Sequence, residues 1–176
     1  MPGTITAVVA ATVAALPLAV LVAWVLARRR GWRVATAETG IVYGTVPWLW
    51  MILLPGREEP RVNLVPLRDL LDVLAAGPRV ATVQIVGNLL VFAALGFFAP
   101  LRFRVLASVP RMLAAGAAGS VLVETLQYVL RLDRVSSVDD VLLNAAGAGL
   151  AALASRPWWR DRSLVAARGG RGQIAC

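Results

Sequence analysis

The sequence contains neither lysine nor histidine, and its single cysteine, Cys176, is the last residue. These absences exclude an internal disulfide and a cysteine metal site, and they leave no histidine or internal cysteine for catalysis. Charged residues make up only 16%, against about 25% in ordinary soluble domains, whereas hydrophobic residues reach 59%. This composition indicates a membrane protein, and the arginines that give the chain its basic charge do not indicate nucleic-acid binding because they lie in short blocks between apolar runs.

Five apolar runs approach the roughly 20 residues that a helix needs to cross a bilayer. They predict an all-α polytopic membrane helix bundle with helices at about residues 5–27, 39–54, 82–101, 112–130 and 138–155. The first run is predicted to be an uncleaved helix and not a signal peptide, because its arginines follow the run instead of preceding it. We expect a single membrane domain over residues 1–155 and a basic cytoplasmic tail over residues 156–176, disordered at its end.

All 18 basic residues are arginine, and their placement predicts the orientation of the bundle. If the N-terminus is outside, twelve arginines fall on the cytoplasmic side and six on the outer side. The positive-inside rule therefore favours an N-out, C-in topology. Tryptophans near the ends of the apolar runs agree with the aromatic belts of membrane interfaces.

The longest loop, residues 55–81, contains a segment with helical periodicity. Its sequence "NLVPLRDLLDVL" predicts a short helix lying in the outer interface, with an apolar face formed by Leu67, Leu70, Leu71 and Leu74. A plain connector is the alternative.

Polar residues occur in three of the predicted helices at similar depth. On the fourth helix they recur every three or four residues and form one stripe: Ser120, Glu124, Gln127 and Arg131. The third helix contributes Gln84 and Asn88, and the fifth contributes Asp139, Asp140 and Asn144. Small residues at a spacing of four, Gly116 with Ser120 and Ala145 with Gly149, would let the helices approach closely. We therefore expect these polar groups to converge near the outer face.

Three blocks carry a family resemblance: "NLVPL" from Asn63, "GNLLVFAALGFFAPL" from Gly87, and "VETLQYVLRLDRVSSVDDVLLNAAGAGLA" from Val123. Over about residues 63–152 the chain resembles the VanZ-like family of bacterial membrane proteins, whose founding member is associated with teicoplanin resistance. The resemblance implies a multi-pass protein of the bacterial cytoplasmic membrane that acts in the cell envelope. The family's hallmark positions correspond to Asn63, Pro66, Asn88, Gly96, Glu124, Gln127, Arg134, Asp139, Asp140, Asn144 and Gly147.

The main functional hypothesis is an outward-facing pocket in the membrane. Its predicted ligand-binding residues are Asn88, Glu124, Gln127, Arg131, Arg134, Asp139, Asp140 and Asn144. An intramembrane ionisable residue is by default a functional-site hypothesis, and arginine forks match phosphate or carboxylate. We expect membrane lipids as partners and an envelope lipid, a lipid-linked cell-wall precursor or a glycopeptide as ligand. No cofactor, resident metal or catalytic residue is predicted, and the oligomeric state stays open.

Three other hypotheses stay open beside the pocket. The polar residues could form a purely structural network, since hydrogen bonds between membrane helices fix their register. An enzyme could use a divalent ion on Glu124, Asp139 and Asp140, or one of these as a general base. A transporter is disfavoured because the chain has no internal repeat.

Overall fold

The computed structural model describes residues 2–56 and 61–160, and most of that length is helical. This part of the chain contains α1 Pro2–Arg30, α2 Trp32–Ile52, α3 Arg68–Ala75, α4 Pro78–Val91, α5 Ala93–Arg102, α6 Val109–Val129 and α7 Val138–Ala154. Two three-residue strands, β1 Arg61–Asn63 and β2 Val135–Ser137, pair in parallel. The predicted all-α class is confirmed, with this short ladder as an addition that the sequence did not predict.

Three stretches of the described chain are long and apolar enough to cross a membrane. They are Thr6–Arg30, Pro78–Arg102 and Val109–Val129, and they coincide with the first, third and fourth predicted runs. The stretch Pro78–Arg102 comprises α4 and α5, which are separated only at Phe92, where φ is −110° and ψ is 11°. The predicted runs at 39–54 and 138–155 are helical as α2 and α7, but these helices are not both long and apolar enough to count as membrane spans. A total of five spans therefore stays a prediction.

The α7 helix packs against α4, α5 and α6, and small residues make these contacts close. A Cβ added at Gly147 of α7 would fall on the backbone of Leu89 in α4. A Cβ added at Gly116 of α6 would lie 2.8 Å from Cβ of Ala148 and 3.1 Å from Cα of Ala145. The predicted small residues of α6 and α7 therefore lie in direct contact and hold α7 inside the bundle.

Arginine residues from three segments lie at one end of the bundle. Glu38 of α2 accepts hydrogen bonds from Nη1 of Arg30 at 3.0 Å and from Nε of Arg102 at 2.8 Å. Nη2 of Arg33 donates to the carbonyl of Trp158, which follows α7, at 3.3 Å. The segments that were predicted to share the cytoplasmic side therefore lie together, and the membrane side that they face stays a prediction.

The other end of the bundle carries α3 and the β-ladder, in which Asn63 pairs with Ser137. The α3 helix confirms the predicted short helix of the loop, although Leu67 lies before it in a left-handed conformation with φ of 65°. Leu71 and Leu74 are exposed, as an interfacial helix requires. Arg57, which belongs to the loop before β1, lies outside the described residues, and so do residues 161–176 of the predicted basic tail.

Candidate functional site

A cavity of about 360 Å³ lies among the end of α2, α4, α6 and the start of α7. Six of the eight predicted site residues line it: Asn88, Glu124, Gln127, Arg134, Asp140 and Asn144. Gln84 lines it as well, one helical turn before Asn88 on α4. The three predicted helices thus bring their polar groups to one place. That these groups bind a ligand stays a prediction.

Two of the lining residues hold the end of α2. Nε2 of Gln127 donates to the carbonyl of Ile52 at 2.8 Å. Arg134 donates from Nε to the carbonyl of Leu54 at 3.0 Å and from Nη2 to that of Met51 at 3.4 Å. The last carbonyls of a helix lack intrahelical partners and carry partial negative charge, so these donors satisfy and stabilise them. The Nε–Nη2 edge of Arg134 therefore binds backbone carbonyls.

Two amide side chains join α7 to its neighbours. Nδ2 of Asn88 donates to Oδ1 of Asp140 at 2.5 Å, and Nδ2 of Asn144 donates to Oγ of Ser120 at 2.8 Å. Asn144 is only 3% exposed, yet its Oδ1 is buried without a hydrogen-bond partner. Both amides therefore use a donor inside the protein, and Asn144 retains a free acceptor.

Glu124 is the half-buried carboxylate in the middle of this arrangement. Its Oε2 is buried and has no hydrogen-bond partner. Its backbone carbonyl accepts from Oγ of Ser136 at 3.4 Å, which ties α6 to the segment before α7. Within residues 2–56 and 61–160, neither Arg131 nor Arg134 forms an ion pair with Glu124.

Asp139 and Arg131, the other two predicted site residues, are not among the residues that line the cavity. The carboxylate of Asp139 accepts from the backbone N–H of Leu67 at 2.5 Å and of Leu70 at 3.0 Å. It therefore caps α3, which has no capping side chain of its own. The side chains of Asp139 and Asp140 project about 100° apart around α7, and of the two only Asp140 lines the cavity. Arg131 lies beyond the end of α6, exposed, with φ of 51°.

The separation of Asp139 from Asp140 also bears on the metal-enzyme hypothesis, which needed Glu124 and both aspartates around one ion. Among the described residues, no group of three acidic, histidine or cysteine side chains is placed to hold a metal ion. Sequence reasoning missed two further features. Asn63 donates to Asp69 at 2.8 Å behind α3, and the carbonyls at the end of α2 form part of the site. Asn63 had a sequence signal in the block "NLVPL", whereas the carbonyls had none.

Comparison with known proteins gives one result that bears on identity. A model of the VanZ/LLP1 family matches residues 41–160, which is more than half of the chain. The chain belongs to the VanZ-like family. No curated protein and no solved structure gives a match.

The matched range extends beyond the core predicted at 63–152 and takes in most of α2. The geometry explains this extension, because Gln127 and Arg134 of the VanZ-like core bind the end of α2. Together with the three membrane-compatible helices, the match identifies a VanZ-like membrane protein.

Proposed function

We propose that this VanZ-like protein binds a polar ligand of the cell envelope in the cavity beside Glu124. The observation that carries the proposal is the buried Oε2 of Glu124, which has no partner and lies within the membrane-compatible helix α6. A carboxylate at membrane depth costs several kcal/mol unless it is paired, protonated or hydrated. A ligand that hydrogen-bonds to this oxygen would remove much of that cost. An envelope lipid, a lipid-linked cell-wall precursor and a glycopeptide are the ligands that the family resemblance favours.

A structural network is the second candidate, and specific contacts favour it for some of the residues. Gln127, Arg134 and Asp139 each satisfy backbone groups of another element. Their replacement should therefore impair folding whether or not a ligand binds. The carboxylate of Glu124 accepts hydrogen bonds from Ser136 and from the backbone N–H of Ser137, but its Oε2 makes none, and the two candidates differ in what this oxygen binds.

Native mass spectrometry of protein extracted gently from its membrane tests the proposal. The wild type should retain a specific envelope molecule, and Glu124→Gln should lose it while remaining folded. Glu38→Gln is the matched control, because Glu38 lies at the arginine-rich end of the bundle and does not line the cavity. Absence of any adduct from the wild type, together with a less stable Glu124→Gln, would assign Glu124 to helix packing and remove the proposed function.

The full topology of five spans, N-out and C-in, is part of the same proposal. The arginine-bearing segments lie at one end and the cavity at the other, so this topology opens the cavity toward the outer face. In a Cys176→Ser background, a cysteine at exposed Asp133 should react with an impermeant thiol reagent in intact cells, and one at exposed Arg104 should react only after lysis. The reverse labelling pattern would place the cavity toward the cytoplasm.

An effect on teicoplanin resistance is the most specific part of the proposal, and it derives from the family resemblance. Expression in a susceptible bacterium should raise the inhibitory concentration of teicoplanin, and Glu124→Gln should abolish the increase at equal expression. An unchanged inhibitory concentration with the wild type would separate ligand binding in this protein from glycopeptide resistance.

A further inference from the structure

Glu124 separates two hollow spaces of different character. On one side lies the polar cavity, and on the other lies an apolar groove of about 320 Å³. Residues of α6 divide between them: Val123 and Gln127 line the cavity, Val121 and Tyr128 line the groove, and Glu124 lines both. A molecule held at Glu124 could therefore place one part in each space.

The amide and guanidinium groups that line the polar cavity each donate to other protein groups, whereas two of its acceptors have no partner. The amides of Asn88, Gln127 and Asn144 each donate to a protein acceptor, and Arg134 donates twice to backbone. Two buried acceptors have no partner, Oε2 of Glu124 and Oδ1 of Asn144. A phosphate, which offers mainly acceptors, would leave these two oxygens unsatisfied, whereas a ligand with several donors would satisfy them.

The charges of the lining residues also favour a ligand that donates hydrogen bonds. Glu124 and Asp140 contribute two carboxyl groups, and Arg134 contributes one guanidinium that already serves the negative end of α2. A primary ammonium carries three donors and no acceptor, so it matches both the free acceptors and the charge. Its hydrogen bonds to a carboxylate would be charge-assisted and roughly twice as strong as those between neutral groups.

The groove supplies a place for an apolar chain. Its wall includes Val62 and Leu64 beside β1, Val121 of α6 and Val138 and Val141 of α7. Val121 and Leu64 are exposed in the isolated chain, so in a membrane this surface meets lipid. A chain bonded to a head at Glu124 would enter this groove beside Ser136 and Ser137, which line it together with the apolar residues.

From these observations we infer that the ligand is an amphiphile whose primary ammonium head lies in the polar cavity and whose hydrocarbon chain lies in the apolar groove. This inference rests on the proposed function and narrows it to a class of ligand. It replaces the anionic head that an arginine fork would suggest, because the Nε–Nη2 edge of Arg134 is engaged with the end of α2 and the two unpartnered groups of the cavity are acceptors.

Binding of two synthetic probes to the purified chain tests the inference. The probes are n-dodecylammonium and n-dodecyl phosphate, which share a chain and differ in the head, and native mass spectrometry measures the fraction of protein that carries each. The wild type should bind dodecylammonium at least about tenfold more tightly than dodecyl phosphate, as expected for hydrogen bonds to a charged group. Glu124→Gln should lose this preference.

A pair of tryptophan variants tests the position of the chain. Val121→Trp fills the groove, whereas Leu122→Trp places the same side chain at an exposed position of α6 that lines neither space. Dodecylammonium binding should fall severalfold in Val121→Trp and stay at the wild-type level in Leu122→Trp.

The outcomes separate this inference from the proposed function. Equal or tighter binding of dodecyl phosphate, binding of neither probe, or equal binding by the two tryptophan variants would overturn the amphiphilic ammonium ligand. If an envelope molecule still co-purifies with the wild type and is lost from Glu124→Gln, the proposed function stands and only the ligand class is wrong. If that molecule is also absent, both the proposed function and the inferred ligand class are wrong.

Discussion

Replacement of Gly147 by alanine tests the contact that brings α7 against α4. A Cβ at this position would fall on the carbonyl oxygen of Leu89 and lie 2.7 to 2.8 Å from its carbonyl carbon and Cα. All three atoms belong to the backbone, so no change of rotamer can relieve the overlap. The two helices would have to separate, and the lining residues Asn88 and Asp140 would separate with them.

The magnitude follows from two opposing effects. Overpacking a close contact costs about 1–3 kcal/mol, and the upper part of this range applies because backbone must move. Replacing a helical glycine by alanine returns up to about 1 kcal/mol through helix propensity. We therefore expect Gly147→Ala to lower the free energy of unfolding by about 2 kcal/mol.

Gly87→Ala is the matched control on α4, because a Cβ added there has no atom within 4 Å. It should be neutral or stabilising by up to about 1 kcal/mol. The assay is loss of the monodisperse peak in fluorescence-detected size-exclusion chromatography after heating at graded temperatures. Equal heat resistance of the two variants would refute the backbone contact between α4 and α7, and with it the geometry of the cavity.

Three other predictions concern individual side chains. Asp139→Ala removes the acceptor of two N–H groups, so amide hydrogen exchange in α3 should accelerate by tenfold or more, and unchanged exchange would show that α3 does not depend on this cap. Arg134→Ala leaves carbonyls of α2 unsatisfied and should cost about 1.5–3 kcal/mol in a heat-challenge assay, whereas the exposed neighbour variant Arg131→Ala should match the wild type. The hydrogen bond from Arg102 lowers the pKa of Glu38, which lies just before the predicted span 39–54. Its contribution to stability should therefore be complete above the ordinary pKa of 4.5 and decline as the pH falls further, and Glu38→Gln should remove this dependence.

The helices could be predicted from the sequence because their signal is local. An apolar run of about 20 residues has to satisfy its backbone internally in lipid, so its length and composition predict a helix. The polar stripe on α6 could also be predicted from the sequence. Its spacing of three and four residues places Ser120 and Gln127 on one face, and both are buried in the structure.

Features that depend on contacts between distant parts of the chain could not be predicted from local sequence patterns. The β1 and β2 strands are three residues each and lie more than 70 residues apart, so neither has a periodicity long enough to detect. Arg134 was predicted to bind a ligand, and its hydrogen bonds to carbonyls at the end of α2 are an addition that the sequence did not predict. Nothing near Arg134 in the sequence indicates where α2 ends in space.

The two aspartates at the start of α7 have different surroundings. Asp139 and Asp140 are consecutive, so their side chains project about 100° apart around α7. The structure assigns Asp140 to the cavity and Asp139 to the cap of α3. The two carboxylates should therefore differ in their mutational effects: Asp139→Asn should loosen α3, and Asp140→Asn should change the cavity while α3 stays protected from exchange.

This division of roles determines how loss-of-function variants should be interpreted. A variant of Gln127, Arg134 or Asp139 removes a contact between elements, so loss of activity in it is also expected from misfolding. Glu124 also accepts hydrogen bonds from Ser136 and Ser137, but its Oε2 makes none, and glutamine preserves the size of the side chain and an oxygen acceptor while removing the charge. Glu124→Gln is therefore the substitution in which a folded but inactive protein has the clearest meaning, because it removes the charge and keeps an acceptor for the contacts with Ser136 and Ser137.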